Sequence, residues 1–189
     1  MADWRRLVRF WQVEILGEHR SFSWWRLRKK CRRSNRYAYV FWYRIAYVMY
    51  ESRRAFWRRR ARYLNEWLSR RYNVEIMLGA EVGEGLWIGH PAGIVISGYA
   101  RIGRNFKIWQ NSTVGIKGGP GEKRIVIGDD VRVFAHSCII GDDLHIGNNV
   151  TFGAGSFVAQ DIPDGVLYVS KRSSEIRSNS ASNMWGRPG

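Results

Sequence analysis

Cysteine is nearly absent from this chain: Cys31 and Cys138 are the only two in 189 residues. Two isolated thiols make neither a disulfide framework nor a zinc site, and they fit a reducing compartment. Histidine is sparse as well, with four residues and no HxxxH or CxxC spacing among them, so no catalytic metal is expected. Long apolar runs are missing. The longest in the first part of the chain, "YAYVFWYRIAYVMY" (37–50), is interrupted by Arg44 and is too short to span a bilayer. The opening "MADWRRLVRFW" lacks the continuous apolar stretch of a secretory signal, which points to the cytoplasm. Acid is scarce where base is abundant: residues 1–73 hold 5 Asp/Glu against 20 Lys/Arg, whereas residues 74–189 hold 11 of each. The whole net charge of +15 therefore resides in the first region, with seven of the ten tryptophans. The chain divides near Tyr72-Asn73 into a basic, aromatic region (1–73), a second region of different chemistry (74–170) and a Ser/Asn-rich tail (171–189) expected to be loose.

The second region is a repeat. Aliphatic or aromatic residues recur at Val82, Ile88, Ile96, Ile102, Ile108, Val114, Ile127, Val133, Ile140, Ile146, Phe152 and Val158, mostly six apart. Gly follows many of them. A period of six is neither helical nor a simple alternation, and self-similarity at a short fixed period marks a solenoid. One inward aliphatic per unit and a small residue at the corner describe a parallel β-helix of triangular section. Two steps break the period. A step of eight falls on His90-Pro91, and a step of thirteen falls on the Gly-rich "GIKGGPGEKR" (115–124), expected to leave the coil as a loop.

"HPAGIVISGYARIGRNFKIWQNSTVG" (90–115) and "IGNNVTFGAGSFVAQDIP" (146–163) resemble the hexapeptide-repeat, left-handed β-helix acyltransferases, and within them the serine acetyltransferase branch. The resemblance implies a mainly β fold, a left-handed parallel β-helix behind an N-terminal α-helical region. It implies acetyl-CoA as acyl donor and His90 as the base that takes the acceptor hydroxyl's proton. Imidazole suits that role because its ordinary titration falls near cellular pH. Glu75, fifteen residues earlier, matches the acid that orients the histidine. Gly115 is the candidate oxyanion donor. Ala135, Ala154, Lys171 and Arg172 are the candidate coenzyme contacts, and His136 is a further residue facing that groove. His19 and His145 rank as solvated.

Two positions depart from the serine branch. Gly89 stands where that branch has Asp, and Lys123 and Arg124 stand where it has Arg-His at the end of the extruded loop. On these grounds the sequence resembles most the exopolysaccharide and capsule O-acetyltransferases of the colanic acid type. The expected acceptor is then a sugar hydroxyl of a bacterial surface polysaccharide or its lipid-linked precursor, with Trp87 and Trp109 as flat faces for a sugar ring and Lys123 and Arg124 toward an acidic glycan. Serine O-acetyltransferase is the alternative reading, and a non-catalytic membrane-associated scaffold is the alternative of another class. The resemblance also implies a homotrimer or a dimer of trimers.

Residues 1–73 read as helices with apolar positions Phe41, Ile45, Val48, Met49, Phe56, Tyr63, Leu64, Trp67 and Leu68 along one face and Arg along the other. Besides a helical cap, the composition suits an anionic membrane surface, peripherally on the inner face of the cytoplasmic membrane. Nucleic acid ranks last, since no RNA-binding motif is present.

Overall fold

The computed structural model describes residues 3–118 and 123–171. It begins with four α-helices, α1 (Trp4–Trp11), α2 (Trp24–Arg33), α3 (Asn35–Tyr50) and α4 (Ala55–Tyr72), with a π-helical turn, Gln12–Leu16, extending α1. Asp3 and Ser23 cap the first two: their side chains accept from Arg6 N and Arg26 N. α4 ends at Asn73, whose left-handed φ of 52° turns the chain into the first strand.

A parallel β-solenoid of about five turns follows. The first turn is β1 (Val74–Ile76), β2 (Glu81–Val82) and β3 (Trp87–Ile88); the second is β4 (Ile94–Ile96), β5 (Ala100–Ile102) and β6 (Lys107–Ile108). The third is β7 (Thr113–Gly115), β8 (Arg124–Ile127) and β9 (Arg132–Val133), and the fourth is β10 (Cys138–Ile140), β11 (Asp143–Ile146) and β12 (Thr151–Phe152). The fifth has β13 (Phe157–Val158) and β14 (Leu167–Tyr168), with Ile162 bridging to Ile146 on its remaining side. Three flat parallel sheets result, in the orders β1-β4-β7-β10-β13, β2-β5-β8-β11 and β3-β6-β9-β12-β14.

The sixfold period becomes three buried columns. Ile76, Ile96, Val114, Ile139 and Val158 stack on the first sheet; Val82, Ile102, Ile127 and Ile146 on the second; Ile88, Ile108, Val133 and Phe152 on the third. One member of the predicted series is displaced: the inward residue of β10 is Ile139, and Ile140 faces outward. The extra residue of that turn lies after the strand, at Gly141-Asp142, so the step of seven follows Ile139 instead of preceding it. The corners use left-handed residues, Gly85, Asn105, Asp130, Asn149 and Gly165 down one edge and Gly93, Asn111, His136 and Gly155 down another. Asn and Asp tolerate this conformation because a short polar side chain bonds locally.

The helices pack over the first turn, and one hydrophobic core runs from Leu7 to Ile162. α3 buries Tyr39, Val40, Tyr43, Arg44, Ala46, Tyr47 and Val48. α4 differs from its sequence pattern: it buries Ala61 and Leu68, while Phe56 (59% exposed), Tyr63 (56%) and Trp67 (48%) face solvent. Contact with the coil is made by its C-terminal half, where Asn65 Nδ2 donates to Ile76 O at 3.2 Å. No helix among the described residues is long and apolar enough to cross a membrane.

Arg44 and Glu14 join helices to coil with no exposed side-chain surface on either. Arg44 donates from Nε and Nη2 to both Glu14 carboxylate oxygens, at 2.9 and 2.5 Å, and from Nη1 and Nη2 to Val82 O and Gly83 O at 2.9 and 2.6 Å. Glu14 Oε1 accepts from Gly85 N and Leu86 N, each at 3.0 Å. Removing one partner of a buried pair leaves the other uncompensated and costs about 3–5 kcal/mol. Arg44→Met is expected to lower stability by that amount, read as a fall in the denaturant midpoint, and Glu14→Gln to cost at least as much, because it leaves the buried guanidinium without its counter-charge and turns an amide N–H2 toward a donor. A midpoint unchanged in Arg44→Met would show that the pair does not hold the two parts together.

Candidate active site

On the third sheet Trp87, Lys107, Arg132, Thr151 and Leu167 stand in register. Three residues beyond each lies the next corner, so His90, Gln110, Ala135, Ala154 and Ser170 run down one edge of the prism. Two residues turn this edge at Gln110-Asn111, Ala135-His136 and Ala154-Gly155. Four do so at His90–Gly93, since Gly89 N still bonds Ile108 O and Val95 still pairs with Thr113. The two extra residues extrude His90 from the coil into solvent. The bulge is fixed at its base: Ala92 N donates to His90 O, Gly93 N to Asn73 O and Asn111 N to Ala92 O, at 2.7–2.9 Å.

Just inside this edge the coil buries Ser112, Ser137 and Ser156. Ser112 Oγ donates to Phe134 O and Ser137 Oγ to Gly153 O, both at 3.1 Å, and Ser156 Oγ to Gly153 O at 2.6 Å. These bonds satisfy carbonyls that the corner removes from the strand ladder. The edge carrying His90 is therefore pinned from within.

Glu75 points outward from β1, opposite Val95 on the adjacent turn. It lines a hollow of about 400 Å³ with Tyr50, Arg62, Asn65, Glu66, Ser69, Met77 and Leu78. No hydrogen bond or ion pair joins Glu75 to His90 among the described residues. Ala135 and Ala154 lie below His90 on its edge, and Lys171 follows Ser170 at the bottom. Arg172 and the rest of the tail lie outside the described residues. His136 holds a left-handed φ of 61° on the same edge and donates its N–H to Gln110 O.

Gly115, Lys123 and Arg124 are elsewhere. Gly115 ends β7 and Arg124 begins β8, so these three flank the loop at the opposite side of the first sheet from His90. Arg124 Nη2 lies 3.4 Å from His145 Nε2, and Arg124 Nε is buried with no hydrogen-bond partner. His145 also stands 4.0 Å from Asp143, and His19 is exposed in the helical region. Within one chain the predicted residues thus form two clusters on two edges.

Trp87 and Trp109 do meet, tilted, with ring centroids 4.6 Å apart, and Phe134 stacks on Trp109 at 4.5 Å. Arg36 of α3 covers Trp87 at 4.9 Å. Phe134 and Arg36 escaped the sequence reading. Phe134 was detectable as the register partner of Trp109, whereas Arg36 is placed by helix docking and has no local signal. Trp109 is stacked by Phe134 and met at a tilt by Trp87, so the two half-buried indoles pack largely on protein neighbours.

No family model matches the chain. It is 37% identical over 120 residues to the serine acetyltransferase of Staphylococcus epidermidis, covering 63% of this chain and 54% of that protein. It is 34% identical over 128 residues to that of Synechococcus elongatus, covering 67% and 51%. The chain spans about half the length of the curated relatives it matches. Among solved structures, the serine acetyltransferase of Neisseria gonorrhoeae in complex with serine superposes with a TM-score of 0.60 at 30% identity, covering 68% of this chain and 51% of that one. The isoform 3 enzyme of Entamoeba histolytica in complex with cysteine reaches a TM-score of 0.70 at 24% identity over 92% of this chain and 60% of that one, a likeness of fold. These relatives overturn the expected kinship with exopolysaccharide O-acetyltransferases and, with it, the sugar acceptor. The chain has the parallel β-helix of the hexapeptide-repeat acyltransferases and is serine acetyltransferase-like.

Proposed function

We propose that this chain transfers the acetyl group of acetyl-CoA to the side-chain hydroxyl of serine. One observation carries the reading: a chain 37% identical over 120 residues to a serine acetyltransferase extrudes a histidine, His90, from an otherwise regular edge of its coil. His90 accepts the proton of the serine hydroxyl as its oxygen attacks the thioester carbonyl carbon. The tetrahedral oxyanion takes a hydrogen bond from the Gly115 N–H. Collapse breaks the carbon–sulfur bond, and the departing CoA thiolate recovers the proton from the His90 imidazolium. Products are O-acetylserine and CoA, with no acyl-enzyme. Glu75 is a positioning residue that supplies negative potential to the imidazolium from the adjacent turn.

Ala135 and Ala154 keep the edge below His90 low enough for the coenzyme's extended arm, and Lys171 and Arg172 meet its phosphates. Gly115, Lys123 and Arg124 stand on the other edge, so the site is completed by a second copy in a homotrimer. Lys123 and Arg124 of one copy then face the serine carboxylate held at His90 of its neighbour. Residues 74–170 form the catalytic unit and residues 1–73 its helical cap. The reaction belongs in the cytoplasm, where acetyl-CoA is made.

Packing bears on the missing acid at position 89. A Cβ at Gly89 would lie 2.5 Å from Trp109 Cδ1 and 2.8 Å from Cγ and Nε1. The indole occupies the volume that a side chain at position 89 would need, so an aspartate there requires Trp109 to move.

Two tests follow from this site. Purified full-length protein with acetyl-CoA should release free thiol in proportion to added serine, saturably, with O-acetylserine formed; release indifferent to serine would overturn the reading. His90→Ala should retain the fold and lose at least about 100-fold in kcat, the scale for a general base. Glu75→Gln should lose less, mainly in kcat, with recovery in Glu75→Asp. For the packing, Gly89→Asp should cost about 1–3 kcal/mol by overfilling. Trp109→Ala should relieve much of that cost when combined with it, so a double-mutant cycle with no coupling would refute the steric account.

A further inference from the structure

Residues 19–50 contain no Asp or Glu. Within them α2 presents Trp24 (53% exposed), Trp25 (68%), Arg26, Arg28, Lys29, Arg32 and Arg33 to solvent, and buries only Leu27. Several basic side chains elsewhere are paired with acids, Arg6 with Glu51, Arg9 with Glu18 and Glu84, and Arg104 with Asp129, whereas among the described residues Arg58, Arg59 and Arg60 of α4 are not. None of the α2 cations is in an ion pair among the described residues. Lys29 has instead folded over the Trp25 ring, 4.6 Å from its centroid.

Between α2 and α3 lies a slot of about 420 Å³. Trp24, Leu27, Cys31, Ala38, Phe41 and Trp42 give it apolar walls, and Arg28 and Arg32 stand at its rim. Burial pushes the Cys31 thiol up to about 11, which marks the slot as a poor place for charge. On the other flank, Trp25, Arg28, Lys29, Arg32 and Arg33 line a hollow of about 580 Å³. Two hydrophobic indoles, an apolar slot and uncompensated cations therefore share one helix.

We propose that α2 is a docking surface for an anionic lipid bilayer, with Trp24 and Trp25 at the headgroup level, Arg28 and Arg32 on lipid phosphates and an acyl chain entering the slot beneath. The chemistry matches an interfacial helix: cations for the negative leaflet surface, tryptophan for the boundary, low overall hydropathy. A second copy of the chain is a poor occupant, because a self-complementary contact sets these cations against one another. Single-stranded nucleic acid would use the cations and stack on the exposed rings, but it has no use for an apolar slot lined by Leu27 and Ala38. This surface is independent of the acyl-transfer reading.

The test is flotation of full-length protein with vesicles of equal parts phosphatidylcholine and phosphatidylglycerol, against phosphatidylcholine alone. The protein should float with the anionic vesicles and not with the neutral ones. Each engaged cation contributes roughly fivefold to partitioning. Arg28→Gln, Lys29→Gln, Arg32→Gln and Arg33→Gln together should therefore weaken it at least about 100-fold, and Trp24→Ser with Trp25→Ser should abolish the part that survives 1 M salt. Arg58→Gln, Arg59→Gln and Arg60→Gln together, on α4, should leave it unchanged. Wild-type thermal unfolding in each variant establishes that the fold is retained. Equal partitioning into both vesicles, none into either, an equal loss from the α4 variant, or displacement from anionic vesicles by sub-stoichiometric single-stranded RNA would overturn the proposal.

Discussion

The end of a solenoid is its weak point, because the last turn has no neighbour to take its backbone hydrogen bonds or cover its core. In this chain the Glu14–Arg44 pair closes that end. Arg44 takes the carbonyls of Val82 and Gly83, and Glu14 takes the N–H groups of Gly85 and Leu86, all at the corner between the first turn's second and third sides. Phe10 lies 3.9 Å beneath the Arg44 guanidinium, so the pair sits in the apolar seam. Burying two charges is repaid only when every remaining donor and acceptor is engaged, and here the coil's unpaired backbone supplies those partners. The helices are thus bonded to the coil as its cap, and the β1 strand that carries Glu75 is held between α4 and β4.

With the end closed, the regularity of the coil determines where chemistry can occur. A strict register leaves no freedom to an individual residue, so a side chain escapes the wall only where residues are added. Four residues turn at His90–Gly93 where two suffice below, and β7 ends at Gly115 while β8 begins only at Arg124. Both departures lie beside the first sheet, one at each of its edges. On the proposed reading, the two halves of the site meet when the edge of one copy lies against the opposite edge of another. Position 89 shows the constraint from the other side: the stack of Trp87, Trp109 and Phe134 leaves no volume there for a side chain.

The coil was legible in the sequence because its period is local. Each hexad states its own inward residue, and Gly, Asn or Asp marks its corner. The exception at Ile139 arises because a one-residue insertion shifts the register on only one side of itself, and Ile139-Ile140 offers two aliphatics to choose from. The location of His90 was equally legible, since a step of eight in a period of six must extrude something. The helical region was less so. Thirty residues separate Glu14 from Arg44, and neither has a neighbouring signal, so their pairing depends on tertiary docking alone. Phe56, Tyr63 and Trp67 show helical spacing yet remain outside, because α4 crosses the coil with only its C-terminal half in contact. At Gly89 the sequence shows only that an acid is missing, and the Trp109 indole that fills the space a side chain would take is visible only in the packed structure.

The central claim is that acyl transfer needs one edge from each of two copies, and mixing two inactive variants tests it most directly. His90→Ala removes the base from one edge, and Arg124→Ala removes the acceptor contact from the other. Unfolded together and refolded, or co-expressed, the two should regain a substantial fraction of wild-type serine-dependent acetyl transfer, because mixed assemblies contain interfaces with both edges intact. Activity in the mixture no higher than the mean of the two variants measured apart, in assemblies shown to contain both chains, would place the whole site within one copy and contradict the account.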